Sequence, residues 1–207
     1  MSPIAGAIGE WLTAVGHSIS DLFSSEPPEQ AIQQCPASGA MSPEKAQEYF
    51  DRFKNQPDIP FDYPVDCCYT RAQRMVDQIS AAGSPCGKVW NYASGHPKPT
   101  LTYYSDKVPG GKGHWVYHVA PTVPVTQANG SVRNMVIDPS TQTGPVTIEK
   151  WKADQNDPGA RTVESDASPY YLSPDGKSLP RPSNDEINDT LAGHRADRAK
   201  LRAYMGR

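Results

Sequence analysis

Basic charge is scarce and scattered. Against 23 aspartates and glutamates the chain sets only 20 lysines and arginines in 207 residues, for a formal net charge of −3, and nowhere do the cations gather into a stripe. That removes the electrostatic footprint a phosphate backbone requires, so nucleic acid is not an expected partner. No apolar run is long enough to span a bilayer. The first 23 residues lack a basic leading region and carry Glu10 inside their apolar part, so they do not read as a secretory signal peptide. Cysteine is sparse as well: Cys35, Cys67, Cys68 and Cys86 have no paired CxxC spacing, and the five histidines do not complete a zinc site. The four thiols leave room for one disulfide, from Cys35 or Cys67 to Cys86.

What is present begins with an amphipathic segment. Ile4, Ile8, Trp11, Leu12, Val15, Ile19, Leu22 and Phe23 fall at helical spacing. Such a stripe either packs on its own domain or docks on a partner, a chaperone, immunity protein or membrane surface among them. A polar, proline-rich stretch follows, which places an N-terminal helix and linker at 1–40 and a compact domain at 41–182. The 21 prolines, about twice the usual share, predict long loops in that domain. Ser183-Asn184-Asp185-Glu186 is a capping box that opens a charged C-terminal helix, 183–207.

The helix that organises the domain is DCCYTRAQRMVDQISAAG, 66–83. Ala72, Met75, Val76, Ile79 and Ala82 form one buried face, Asp66 suits the N-cap and Gly83 the exit. With Asp66 as the cap, Cys68 occupies the second helical position, where free amides and the helix dipole favour a thiolate. It is a candidate nucleophile; Cys67 competes on chemistry alone. Upstream, Ser42-Pro43-Glu44 starts a helix that runs to about Lys54.

Beyond Gly83 the period changes to two. Strands are expected at 88–92, at 101–104, from Trp115 to Ala120, and from Val132 to Asp138 after the Asn129-Gly130 turn. A short helix from Thr147 to Lys152 follows, and 153–182 reads as loop apart from a strand at Tyr170-Tyr171-Leu172. Trp90, Tyr92, Tyr103 and Tyr104 suit either core or a substrate cleft. Acyl transfer needs a nucleophile, a base and a group that orients the base, and Cys68, His118 and Asp138 supply those three types. Antiparallel neighbours would set His118 beside Asp138. His114, after a glycine loop, is the rival base.

Three segments together, DCCYTRAQRM, HWVYHVAPTV and MVIDPSTQTGPVTIEKW, resemble the bacterial protein-glutaminase (protein-glutamine deamidase) family, whose motifs run D-x-C-Y-x-R-A, W-V-Y-H-V-A and I-D-P-S followed by G-P-V-T. The resemblance covers about residues 60–152. It implies an α+β, papain-like (transglutaminase-like) core, with an antiparallel sheet packed on the cysteine-bearing helix and the terminal helices added. It also implies a triad of Cys68, His118 and Asp138, with Cys67 where the family has glycine. The implied reaction converts a glutamine side chain of a target protein to glutamate through a thioester and needs no cofactor. Within the family, effector and toxin domains fit the N-terminal segment, which leads to the expectation of a protein secreted without a signal peptide and acting in a target-cell cytoplasm. A cysteine protease, a transglutaminase and a non-catalytic binding module are the alternatives.

Overall fold

Residues 39–206 are described by the computed structural model; the amphipathic segment at 4–23 and Cys35 lie outside the described residues. Helix α1 (Pro43–Lys54) begins where Ser42 Oγ accepts from the Lys45 amide, and proline occupies the first helical position. Its Tyr49, Phe50 and Phe53 pack with Met75 and Ile79 of α2 (Cys68–Ala81), forming the main core over one face of a sheet.

That sheet comprises β1 (Gly87–Tyr92), β4 (Tyr117–Thr126), β5 (Val132–Val136), β6 (Val146–Thr147) and β7 (Arg161–Asp166), in the antiparallel order β6-β5-β4-β1-β7. Strand alternation sorts the faces: Val123 and Val125 of β4 join the α1/α2 core, whereas Ala120 joins Val89, Val136 and Trp151 under α3 (Ile148–Ala153). Strand β4 pairs with β1 over 117–122 and with β5 over 122–126. Most of the strand therefore has one partner at a time, and Pro121 and Pro124 are tolerated inside it.

A second small sheet pairs β2 (Leu101–Tyr104) with β3 (Lys112–Trp115), and β8 (Tyr171–Leu172) with β9 (Ser178–Leu179) makes a hairpin. The C-terminal helix α4 (Asn184–Tyr204) starts at the expected capping box and sets Ile187 and Leu191 against Cys67. No described helix is long and apolar enough to cross a membrane.

Three expectations change. The stretch 153–182 is not all loop, because Arg161–Asp166 adds β7 at the sheet edge; with Val163 its one large apolar residue, the edge strand gave no clear alternation to read. The expected strand from Trp115 to Ala120 is broken at Val116, where the chain bends, so Trp115 ends β3 and Tyr117 opens β4. Finally, α2 is capped by Cys67, not Asp66: the Arg71 amide donates to the Cys67 carbonyl, and Cys68 is the first helical residue.

Candidate active site

The residue before Cys68 is in the left-handed region, with Cys67 at φ 73°. Asp66 Oδ1 accepts from the Cys67 amide at 2.6 Å, so Asp66 shapes this corner without capping the helix. Arg71, buried one turn into α2, donates through Nη1 to the carbonyls of Tyr63 (3.0 Å) and Asp66 (2.5 Å) and so ties down the entering loop. The Cys67 thiol is fully buried; Cys68 is 9 % exposed, packed with Ala72, Trp90, Tyr92 and Val119, with Tyr69, Tyr117, Tyr171 and Leu172 at the margin. Both are free thiols, whereas Cys86 is disulfide-bonded, which rules out the Cys67–Cys86 pairing.

His118 and Asp138 meet across β4 and the end of β5. Their Nε2···Oδ2 distance is 2.8 Å, with both side chains almost wholly buried. The β4/β5 register puts Asp138 two residues past Val136, diagonal to His118 on the same face. The carboxylate is held from several sides: Oδ2 also accepts from Thr141 Oγ1 at 2.6 Å and Trp151 Nε1 at 2.9 Å, and Oδ1 accepts from the Ser140 amide at 3.1 Å and from the Ser140 hydroxyl. Burial alone would raise the Asp138 carboxyl, but the neighbouring His118 charge and the hydrogen bonds from His118, Ser140 and Thr141 outweigh it and hold the group well below the ordinary carboxylate range.

With Nε2 committed to Asp138, the other imidazole nitrogen, Nδ1, is buried and has no hydrogen-bond partner among the described residues. Cys68 packs instead against Val119, the residue after His118. His118 and Asp138 are thus brought together, and Cys68 lies beside the same strand without a hydrogen bond to His118. Burial pushes the Cys68 thiol up to about 12 and outweighs the opposite pull of the Arg71 guanidinium. His114 is exposed on β3, with Nδ1 3.1 Å from Thr102 Oγ1 and no carboxylate partner among the described residues. Trp90, Tyr92 and Tyr103 are core residues, and of the four aromatics only Tyr104 is exposed.

Sequence reasoning missed Trp151. Its indole stacks on His118, with ring centres 5.4 Å apart, while its N–H bonds Asp138. The signal was its position at the end of the segment that carries Asp138, but nothing there distinguished it from a core tryptophan. No group of three or more His, Cys, Asp or Glu side chains among the described residues is placed to hold a metal ion.

A family profile described as glutaminase matches residues 46–155. The chain belongs to the protein-glutaminase family. A crystal structure of protein-glutaminase resembles it with a TM-score of 0.63 at 27% identity, over 76% of this chain and 89% of that one. The NMR structure of protein-glutaminase from Chryseobacterium proteolyticum gives 0.62 and 27%, over 74% of this chain and 86% of that one. A crystal structure of pro-protein-glutaminase gives 0.61 and 25%, over 76% of this chain and 60% of that one. No curated protein matches the sequence. The fold is therefore papain-like, and family and fold together support protein deamidase activity on a protein substrate.

Proposed function

We propose that the protein hydrolyses the side-chain carboxamide of a glutamine in a target protein, with Cys68 as nucleophile, His118 as general base and acid, and Asp138 as the group that orients His118. The observation that carries this reading is the asymmetric imidazole: Nε2 is fixed by Asp138, and Nδ1 is buried with no partner of its own among the described residues. A nitrogen left so is available to exchange a proton with a sulfur and then with a leaving amine.

In this mechanism Nδ1 takes the thiol proton as sulfur attacks the carboxamide carbon. The tetrahedral oxyanion is met by amides at the start of α2, where partial positive charge collects. His118 returns the proton to the departing nitrogen, ammonia leaves and a thioester remains. Water, deprotonated by His118, attacks the thioester, and glutamate departs as the thiol re-forms. Cys67 has no part in these steps: its sulfur packs on Ile187 and Leu191, away from the reaction.

Ammonia release from intact proteins and from a blocked glutamine dipeptide, compared between the wild-type protein and Cys68→Ala, tests the reading. Ammonia from the wild type alone, with an amide-to-acid mass gain and no chain cleavage, is the expected result. Cleavage would mark a protease, amine cross-linking a transglutaminase, and ammonia from Cys68→Ala would refute the assigned nucleophile.

The amphipathic segment 4–23 supports a second part of the proposal, a secreted effector or toxin whose N-terminus is bound by a secretion chaperone or an immunity protein and which acts in a target-cell cytoplasm. Retention of the protein inside its producing cell under all conditions would refute that part.

A further inference from the structure

Trp115 and His118 stack face to face, with ring centres 4.1 Å apart and planes 17° apart. On a regular strand, residues three apart point to opposite faces. Here Val116 is a bend between β3 and β4, and it turns the Trp115 ring onto the imidazole. Tyr103 stacks on the same indole at 4.0 Å and 15°, so the Trp115 ring is packed against two rings. Its Nε1 donates a buried 2.8 Å hydrogen bond to the Pro64 carbonyl. Pro64 lies in the loop whose flanking carbonyls, Tyr63 and Asp66, are held by Arg71, and which delivers Cys67 and Cys68 to the head of α2.

We propose that Trp115 is a positioning residue for the reaction, fixing the His118 ring plane and the loop that sets Cys68 as one rigid unit. The inference rests on the triad assigned above. Trp115 touches both halves of the site: its face meets the base and its N–H meets the backbone leading to the nucleophile. Trp151 also stacks on His118, with ring centres 5.4 Å apart, so the imidazole is in ring contact with both indoles. Asp138 fixes which nitrogen points inward, and Trp115 fixes where that nitrogen points.

Trp115→Phe keeps an aromatic ring between Tyr103 and His118 and removes the donor to Pro64, and Trp115→Tyr is the second variant in case the first is poorly folded. With each folded by circular dichroism at the assay temperature, two quantities are measured. The first is the rate of iodoacetamide alkylation at Cys68, located by fragment mass. A positioning role predicts slowing by about tenfold or more, since the base is misaligned. Looser packing alone would expose the sulfur and speed the reaction. The second is kcat and KM on the blocked glutamine dipeptide, where kcat should fall about 10- to 100-fold with KM within about twofold, and the effects of Trp115→Phe and Asp138→Asn should combine to less than their product. Unchanged or faster alkylation, full multiplicativity with Asp138→Asn, or failure of both variants to fold overturns the inference. An active Cys68→Ala would overturn the triad itself, a separate outcome.

Discussion

Replacing Cys67 separates the two adjacent thiols and tests the backbone reading in one series. Cys67 is fully buried against Ile187 and Leu191, yet its φ is 73°. Cys67→Ala keeps the left-handed conformation and deletes the sulfur, which costs about 1–2 kcal/mol in lost burial and residual cavity. Cys67→Gly deletes the sulfur as well but relieves a left-handed penalty of about 1–2 kcal/mol, offset by about 0.4–1 kcal/mol of added freedom in the unfolded chain. The glycine variant should therefore be more stable than the alanine variant by about 0.5–1 kcal/mol, and within about 1 kcal/mol of the wild type. Urea unfolding of all three, fitted with a common m-value, measures the differences. Both variants should keep the ammonia-releasing activity that Cys68→Ala loses. A glycine variant less stable than alanine would show that the positive φ carries no penalty here, and an inactive glycine variant would move the nucleophile to Cys67.

Asp138→Asn keeps the shape of the side chain but replaces an acceptor facing three donors with an amide, and His118 loses the partner that sets its tautomer. We expect kcat to fall by about 10³- to 10⁴-fold while a trace remains, read from ammonia release with the fold checked by circular dichroism; near-full activity would remove Asp138 from the mechanism. Lys88 tests buried charge away from the reaction. Its Nζ donates to Gln73 Oε1 at 2.6 Å and to the Pro169 carbonyl at 2.5 Å, and burial, only partly offset by Asp77 and Asp166, lowers it from 10.5 to about 7. Between those values the unfolded chain binds a proton the folded protein lacks, so stability rises with pH by up to about 1.4 kcal/mol per unit, and that contribution is lost as pH falls toward 7. Lys88→Met should flatten the rise between pH 7 and 9 in urea titrations, and an equal slope in both proteins would refute the assignment.

The sequence was readable wherever one residue carried a local rule. Ser42 and the Ser183/Glu186 pair announce their helices by capping, Asn129-Gly130 announces the β4/β5 turn, and period-two runs announce β1 and β4. His118 beside Asp138 followed from that turn, because antiparallel pairing sets the register. What could not be read depends on three-dimensional partners. The polar strand β7 is recognisable only once β1 is seen to need a neighbour, and the cap of α2 shifts because Cys67 accepts a left-handed corner that its residue type disfavours. Trp115 and Trp151 look like core tryptophans in the sequence; their hydrogen bonds to Pro64 and Asp138 set them apart.

The state of Cys68 brings these levels together. A helix N-terminus and Arg71 both favour a thiolate, yet the aromatic cluster that includes Trp90, Tyr92, Tyr117 and Tyr171 withholds water, and the thiol stands at about 12. So raised, the sulfur is mostly protonated at neutral pH, and under the proposed mechanism attack by a preformed thiolate is disfavoured. The penalty is avoided when proton transfer to His118 accompanies attack, and then the alignment of Nδ1 with the sulfur governs the rate. Among the described residues no hydrogen bond joins them. Under the proposed mechanism the groups that fix the imidazole are therefore as consequential for turnover as the thiol.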